Sequence, residues 1–91
     1  MTSQEHIDFF WRPGCGFCMR LERKLSKAQI PFRKQNIWED ETQAEFVRSV
    51  ANGSETVPTV RVGTTALVNP SIRQVVETIR REAPHLVPTE S

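Results

Sequence analysis

The sequence predicts an α/β fold, one four-stranded mixed sheet flanked by three helices in the order strand-helix-strand-helix-strand-strand-helix. Three observations predict it. An apolar run, His6 to Trp11, is separated by one helical pattern from a second strand-like run, Phe32 to Ile37, and that arrangement makes the two strands parallel. Two short β-rich runs, Thr59 to Val62 and Thr65 to Val68, are joined by Gly63-Thr64 as an antiparallel hairpin. Apolar residues at helical spacing from Ile72 to Ala83 then supply a closing helix. With 91 residues the chain has room for one core, so residues 1–91 read as a single domain with its core over about 6–83.

His6 to Trp11 is nearly continuous in apolar residues, interrupted by Asp8, and reads as a strand buried on both faces. Pro13 and Gly14 end it. The helix from about Gly16 to Gln29 aligns Cys18, Leu21, Leu25 and Ala28 on an inner face. Its outer face is basic, with Arg20, Arg23, Lys24 and Lys27, and all but Arg20 are read as solvated charge. Ile30-Pro31 stops this helix, because the residue before a proline avoids helical geometry.

Asp40 caps a helix from Glu41 to about Asn52, with Gln43 at the capping-box position. Ala44, Val47, Val50 and Ala51 form its inner stripe, and Asn52-Gly53 closes it. Trp38 is expected to pack over the junction ahead of this helix. Asn69 is expected to cap the last helix, with Pro70 at its first position. Ile72, Val75, Val76, Ile79 and Ala83 face inward. Pro84 ends the helix, and the tail over 84–91 is expected to be flexible.

The only two cysteines, Cys15 and Cys18, lie in Trp11-Arg12-Pro13-Gly14-Cys15-Gly16-Phe17-Cys18, at the junction of the first strand and the first helix. A dithiol there reads as a redox centre, since the free N–H groups and positive dipole end of a helix favour a thiolate. Cys15 is expected at the cap, exposed, as the attacking sulfur. Cys18, one turn on and facing inward, is expected to be partly buried as the resolving one. A zinc site would need four ligands, and the remaining candidates, His6 and His85, lie near the termini without paired spacing, so no metal site is expected. A structural disulfide would close too short a loop to constrain the unfolded chain much.

Composition narrows the rest. An apolar share of 37%, a charged share of 25% and a formal charge of +1 give no reason to expect nucleic acid or an anionic membrane as partner. No stretch fits a signal peptide or a transmembrane span, and a reducing cytoplasm is the expected compartment.

The element order, with a dithiol after the first strand, resembles the thioredoxin fold and specifically the glutaredoxin family. Arg12-Pro13-Gly14-Cys15-Gly16-Phe17-Cys18 is similar to the family's basic-Pro-x-Cys-x-aromatic-Cys motif. Thr56-Val57-Pro58 resembles its Thr-Val-Pro, whose proline is cis and faces the dithiol. On the residues alone, Pro58 also fits a trans turn before a strand, and Arg12 a solvated charge. The resemblance implies that the Val57 backbone pairs with a substrate cysteine like an added strand. It further implies substrate contacts for Arg12, Phe17, Thr56, Val57, Pro58 and Asn69. Asn69-Pro70-Ser71 stands where many glutaredoxins carry Gly-Gly and then an acidic residue, and Pro70 has no amide to offer a carboxylate. The motifs are closest to the actinobacterial mycoredoxin branch, whose thiol, mycothiol, lacks the carboxylates of glutathione.

The expected activity is that of a thiol-disulfide oxidoreductase. It would use Cys15 to reduce mixed disulfides between proteins and a low-molecular-weight thiol, mycothiol rather than glutathione. The small thiol is a cosubstrate, no cofactor is tightly bound, oxidised proteins are the partners, and the chain is expected to be a monomer. Two alternatives are a ribonucleotide-reductase-type redoxin recharged by thioredoxin reductase, and a homodimeric carrier of a thiol-ligated [2Fe–2S] cluster. The second is suggested by Gly16, which stands where dithiol glutaredoxins usually have proline.

Overall fold

The computed structural model describes residues 5–86. Its elements are β1 (Ile7–Trp11), α1 (Gly16–Lys27), β2 (Phe32–Asn36), α2 (Glu41–Val50), β3 (Thr59–Val62), β4 (Thr65–Val68) and α3 (Ile72–Glu82), followed by a 3₁₀ turn at Pro84–Leu86. The expected order of strands and helices is the observed one. In the sheet the strands run β2-β1-β3-β4, with β1 parallel to β2 and antiparallel to β3, and β3 antiparallel to β4.

Successive side chains of a strand point to opposite faces, so β1 feeds two cores. Ile7 and Phe9 join Val60 and Val62 of β3 under α1 and α3, where Cys18, Leu21, Leu25, Val75 and Ile79 are buried. Phe10 points the other way, against Ile37, Ala44 and Val47 beneath α2. Phe46 joins this second core, its ring stacked on that of Phe10 with centroids 5.0 Å apart. The helical stripe read for α2 omitted Phe46, and Val50 is only half-buried.

The second face is not wholly apolar. Asp8 of β1 sits opposite Arg61 of β3 and accepts from its Nε at 3.1 Å and from a terminal guanidinium nitrogen at 2.8 Å. Gln35 Nε2 donates to the other carboxylate oxygen at 3.3 Å. The Arg61 guanidinium also lies over the rings of Phe46, 4.5 Å from the centroid, and Phe10, at 5.3 Å. A charge inside the apolar run is thus held by a matched partner across the sheet, as a partly desolvated carboxylate requires.

Helix ends differ in part from the expected ones. α1 stops at Lys27 because Gln29 takes a left-handed φ of 59°, letting Ile30 N–H reach Leu25 O at 3.1 Å and Gln29 N–H reach Ser26 O at 3.0 Å, a Schellman close. Asp40 caps α2 through the Thr42 N–H, so Gln43 does not complete a capping box. Asn52, at φ 58°, and Gly53, whose N–H donates to Arg48 O at 2.8 Å, close it as expected. Asn69 does not cap α3. The cap is Ser71, in a full capping box with Gln74, which puts Pro70 before the helix rather than at its first position. The chain beyond Ala83 is ordered further than expected: the turn Pro84–Leu86 buries Leu86 in the first core, while residues 87–91 lie outside the described residues.

Phe10 is the centre of the second core and carries part of the cover over Arg61. Phe10→Ala should lower unfolding stability by about 3–5 kcal/mol, read as a shift of the urea midpoint. A loss under about 1 kcal/mol would mean that α2 holds to the sheet without the ring.

Candidate active site

β1 ends at Trp11, and the chain turns through Pro13 and Gly14 before α1 begins. Gly14 has φ of 77°, a conformation that costs a residue with a side chain strain, so the turn into the helix relies on glycine. The turn delivers Cys15 as the N-cap of α1. Its Sγ accepts the Cys18 N–H at 3.2 Å, filling the place that a serine or aspartate oxygen takes in most caps. An N–H aimed at sulfur from a helix N-terminus favours negative charge there.

The Cys15 side chain is buried, only 6% exposed, against the expectation of an exposed sulfur. The cover comes from the segment ahead of β3: Cys15 Sγ lies 3.8 Å from Val57 O, with Val57 packed against the first core. The Val57–Pro58 bond is cis. Thr56 holds this segment from both sides, its hydroxyl 2.8 Å from Ser54 Oγ and its carbonyl accepting from Thr59 Oγ1 at 2.9 Å. Arg48 ion-pairs with Glu41 and Glu55, tying α2 to the loop that leads here.

Cys18 lies one turn further on, 1% exposed within the first core. Burial, with the hydrogen bond to Cys15 next in weight, pushes its thiol from 9.0 up to about 12, and an opposing hydrogen bond to the Arg12 backbone is too weak to offset them. The two sulfurs are therefore unequal. One sits at a helix end beneath the Val57 carbonyl, and the other is a buried thiol held protonated at neutral pH.

The remaining expected site residues fall into two groups. Phe17, 63% exposed, Pro58 and Asn69 meet in a depression of about 150 Å³ beside the dithiol, floored by Leu21 and Ile72 and edged by Arg20 and Lys24. Asn69 takes φ of 51° and donates its N–H to Pro58 O at 2.8 Å, so it braces the Pro58 segment instead of capping α3. Arg12 is apart from this group. Its guanidinium lies over Trp38, 5.7 Å from the ring centroid, and Trp38 is 62% exposed at the junction ahead of α2.

The sequence set Arg20 apart from the solvated charges but gave no role to Lys24, Ser71 or Gln74. Arg20 stands over the Phe17 ring at 5.8 Å, and Lys24 joins it at the cavity edge; their i+3 and i+7 offsets from Phe17 were the available signal. Ser71, with Gln74 three residues on, carried the capping-box signature in plain view. Among the described residues no cluster of three or more His, Cys, Asp or Glu side chains forms a metal-binding group, and no helix is long and apolar enough to cross a membrane.

Comparison with known proteins places this geometry in a family. The chain is 40% identical over 62 residues to a Mycobacterium tuberculosis protein (strains CDC 1551 / Oshkosh and ATCC 25618 / H37Rv) whose name puts it among the glutaredoxins, a match covering 67% of this chain and 74% of the relative. A glutaredoxin from Archaeoglobus fulgidus superposes with a TM-score of 0.65 at 22% identity, covering 82% of this chain and 86% of that one. A buckwheat glutaredoxin–glutathione complex gives 0.59 at 17% identity, covering 88% and 74%. The thioredoxin-like protein BC3987 gives 0.69 at 15%, covering 78% and 96%. At such identities these structures speak for the thioredoxin-like fold alone. The family model for glutaredoxins, however, matches residues 7–68, from the first residue of β1 to the last of β4, and takes in both cysteines and the Thr56-Val57-Pro58 segment. With that match and the mycobacterial relative, the chain belongs to the glutaredoxin family of thiol-disulfide oxidoreductases.

Proposed function

We propose that the protein reduces mixed disulfides between proteins and a small thiol through Cys15 alone, with mycothiol as the preferred thiol. The observation that carries the reading is the inequality of the two sulfurs: Cys15 Sγ accepts the Cys18 N–H at the head of α1, while Cys18 is buried with its thiol pushed up to about 12. In the first step the Cys15 thiolate attacks the small-thiol sulfur of the mixed disulfide. A new S–S bond forms on Cys15, the old one breaks, and the protein cysteine leaves as a thiolate that takes a proton from solvent. A second small-thiol thiolate then attacks the bound small-thiol sulfur, releasing Cys15 as thiolate and the small thiol as its symmetrical disulfide. Val57 O, 3.8 Å from Cys15 Sγ, is positioned to accept from the backbone of the substrate cysteine.

The preference for mycothiol rests on the start of α3. A carboxylate-bearing thiol such as glutathione would look there for free amides. Pro70 has none, Asn69 N–H is spent on Pro58 O, and the Ser71 and Gln74 amides are spent on each other's side chains. Of the amides at the helix start, those of Ser71 and Gln74 are thus occupied and those of Ile72 and Arg73 are left, so few donors remain for a carboxylate, which suits a thiol without one. The mycobacterial source of the 40% identical relative agrees with the actinobacterial branch that the motifs resemble. The discriminating assay is turnover of one peptide mixed disulfide with mycothiol and with glutathione in parallel, and faster turnover with glutathione would overturn the preference.

A second route has its own support. Cys18 lies close enough to Cys15 to share a hydrogen bond with it, so it can resolve an intermediate formed on a protein disulfide, leaving an internal disulfide.

Three outcomes follow from these roles. Cys15→Ser should reduce mixed-disulfide turnover to the uncatalysed background, because the one remaining thiol, Cys18, is 1% exposed and held protonated; residual turnover carried by Cys18 would reverse the roles. Cys18→Ser should keep most of its activity with small-thiol substrates and, after incubation with a small-thiol disulfide, gain a single adduct on Cys15 by mass spectrometry. A variant that stalls on every substrate would show that resolution by Cys18 is obligatory.

The raised Cys18 pKa also makes a pH prediction. Above pH 9.0 the unfolded chain releases the Cys18 proton while the folded chain holds it up to about 12, so this group's stabilisation is complete below that window and is lost across it. The urea midpoint of the wild type should therefore fall more steeply over that range than that of Cys18→Ala. Parallel slopes would mean that Cys18 titrates alike in both states.

A further inference from the structure

The outer face of α1 carries Arg20, Arg23, Lys24 and Lys27, with a shallow depression running between them. Among the described residues, none of these four cations takes part in the ion pairs formed by Lys34 with Glu22, Arg48 with Glu41 and Glu55, and Arg61 with Asp8. No Asp or Glu lines this depression or the cavity beside Pro58, and Arg20 and Lys24 edge both. Four like charges on successive turns repel one another. They stand out against a formal charge of only +1 for the whole chain. The helix dipole supports Lys24 and Lys27 in the last turn but not Arg20, which is held instead over the exposed Phe17 ring next to the dithiol.

We propose that this face docks an acidic segment of the protein half of the mixed disulfide; the proposal rests on the mixed-disulfide reading above and adds to it the class of protein substrate. From Phe17 to Lys27 the helix advances roughly 15 Å, a length that four or five residues of extended peptide cover. A substrate cysteine seated at Cys15 thus places carboxylates within about five residues of it over Arg20 and Lys24 first, and Lys27 next. Charges at such a rim act on encounter and on specificity, and they are screened by salt.

The test uses the full chain and three synthetic peptides, each with one cysteine in mixed disulfide with the small thiol and flanked by Asp/Glu, by Ser, or by Lys. At about 20 mM salt the acidic peptide should exceed the basic one in kcat/KM by roughly tenfold, and the ratio should shrink toward parity near 300 mM. The double variant Arg20→Glu with Lys24→Glu should reverse the order. Arg20→Gln with Lys24→Gln, which introduces no new repulsion, should erase the preference. Equal rates for acidic and basic peptides in the wild type at low salt, or a charge-reversed variant that still prefers the acidic peptide, would overturn the docking surface. Failure to turn over even the neutral peptide would instead overturn the mixed-disulfide reading and the docking with it.

Discussion

Phe9 and Phe10, adjacent in β1, must bury their rings on opposite faces of the sheet, and the rest of the architecture follows from that constraint. One face is covered by α1 and α3, the other by α2, so the chain has to cross the sheet between successive strands. The parallel pairing of β1 with β2 through α1 is the first crossing. Because α1 starts directly from the end of β1, its N-terminus lies at the carboxyl edge of the central strand. The dithiol is held there by one of the two central, buried strands of the sheet, not by a free loop.

Burial and helix capping then divide two chemically identical side chains. Cys15, at the cap, receives a backbone N–H; Cys18, one turn later, faces the core and keeps its proton. Burial is the largest cause of the raised Cys18 thiol; the hydrogen bond and the charge of Cys15 add to it, and Arg12 opposes it. The arrangement suits a centre that works with one sulfur on small-thiol adducts and keeps a second in reserve.

The opposite wall of the site is built by backbone hydrogen bonds. Asn69, in a left-handed conformation, ties the start of α3 to Pro58, and Ser71 with Gln74 consumes amides that would otherwise face a ligand. An anion therefore finds fewer amides at this wall, whereas α1 carries four cations outside any salt bridge among the described residues.

The periodicities of the sequence determined the order of elements, because burial of β1, of the α1 stripe and of the hairpin strands each depends on residues a few positions apart. The dithiol motif and the Asp40 cap were legible for the same reason. Asn69 was misread as a cap because Asn-Pro and Ser-x-x-Gln are overlapping local signals, and the second won by satisfying two amides where the first satisfies none. What only the tertiary structure decided involves partners far apart in the chain. Cys15 is buried because Val57, 42 residues away, comes to lie over it. Asp8 is tolerated inside an apolar strand because the register of β1 with β3 sets Arg61 opposite it. Phe46 turns inward because Phe10 offers a ring to stack on, and Leu86 is ordered because the first core has room beyond Ala83. Local spacing carries no record of register or of which loop covers which helix end, since both are settled only when separate elements bury surface against each other.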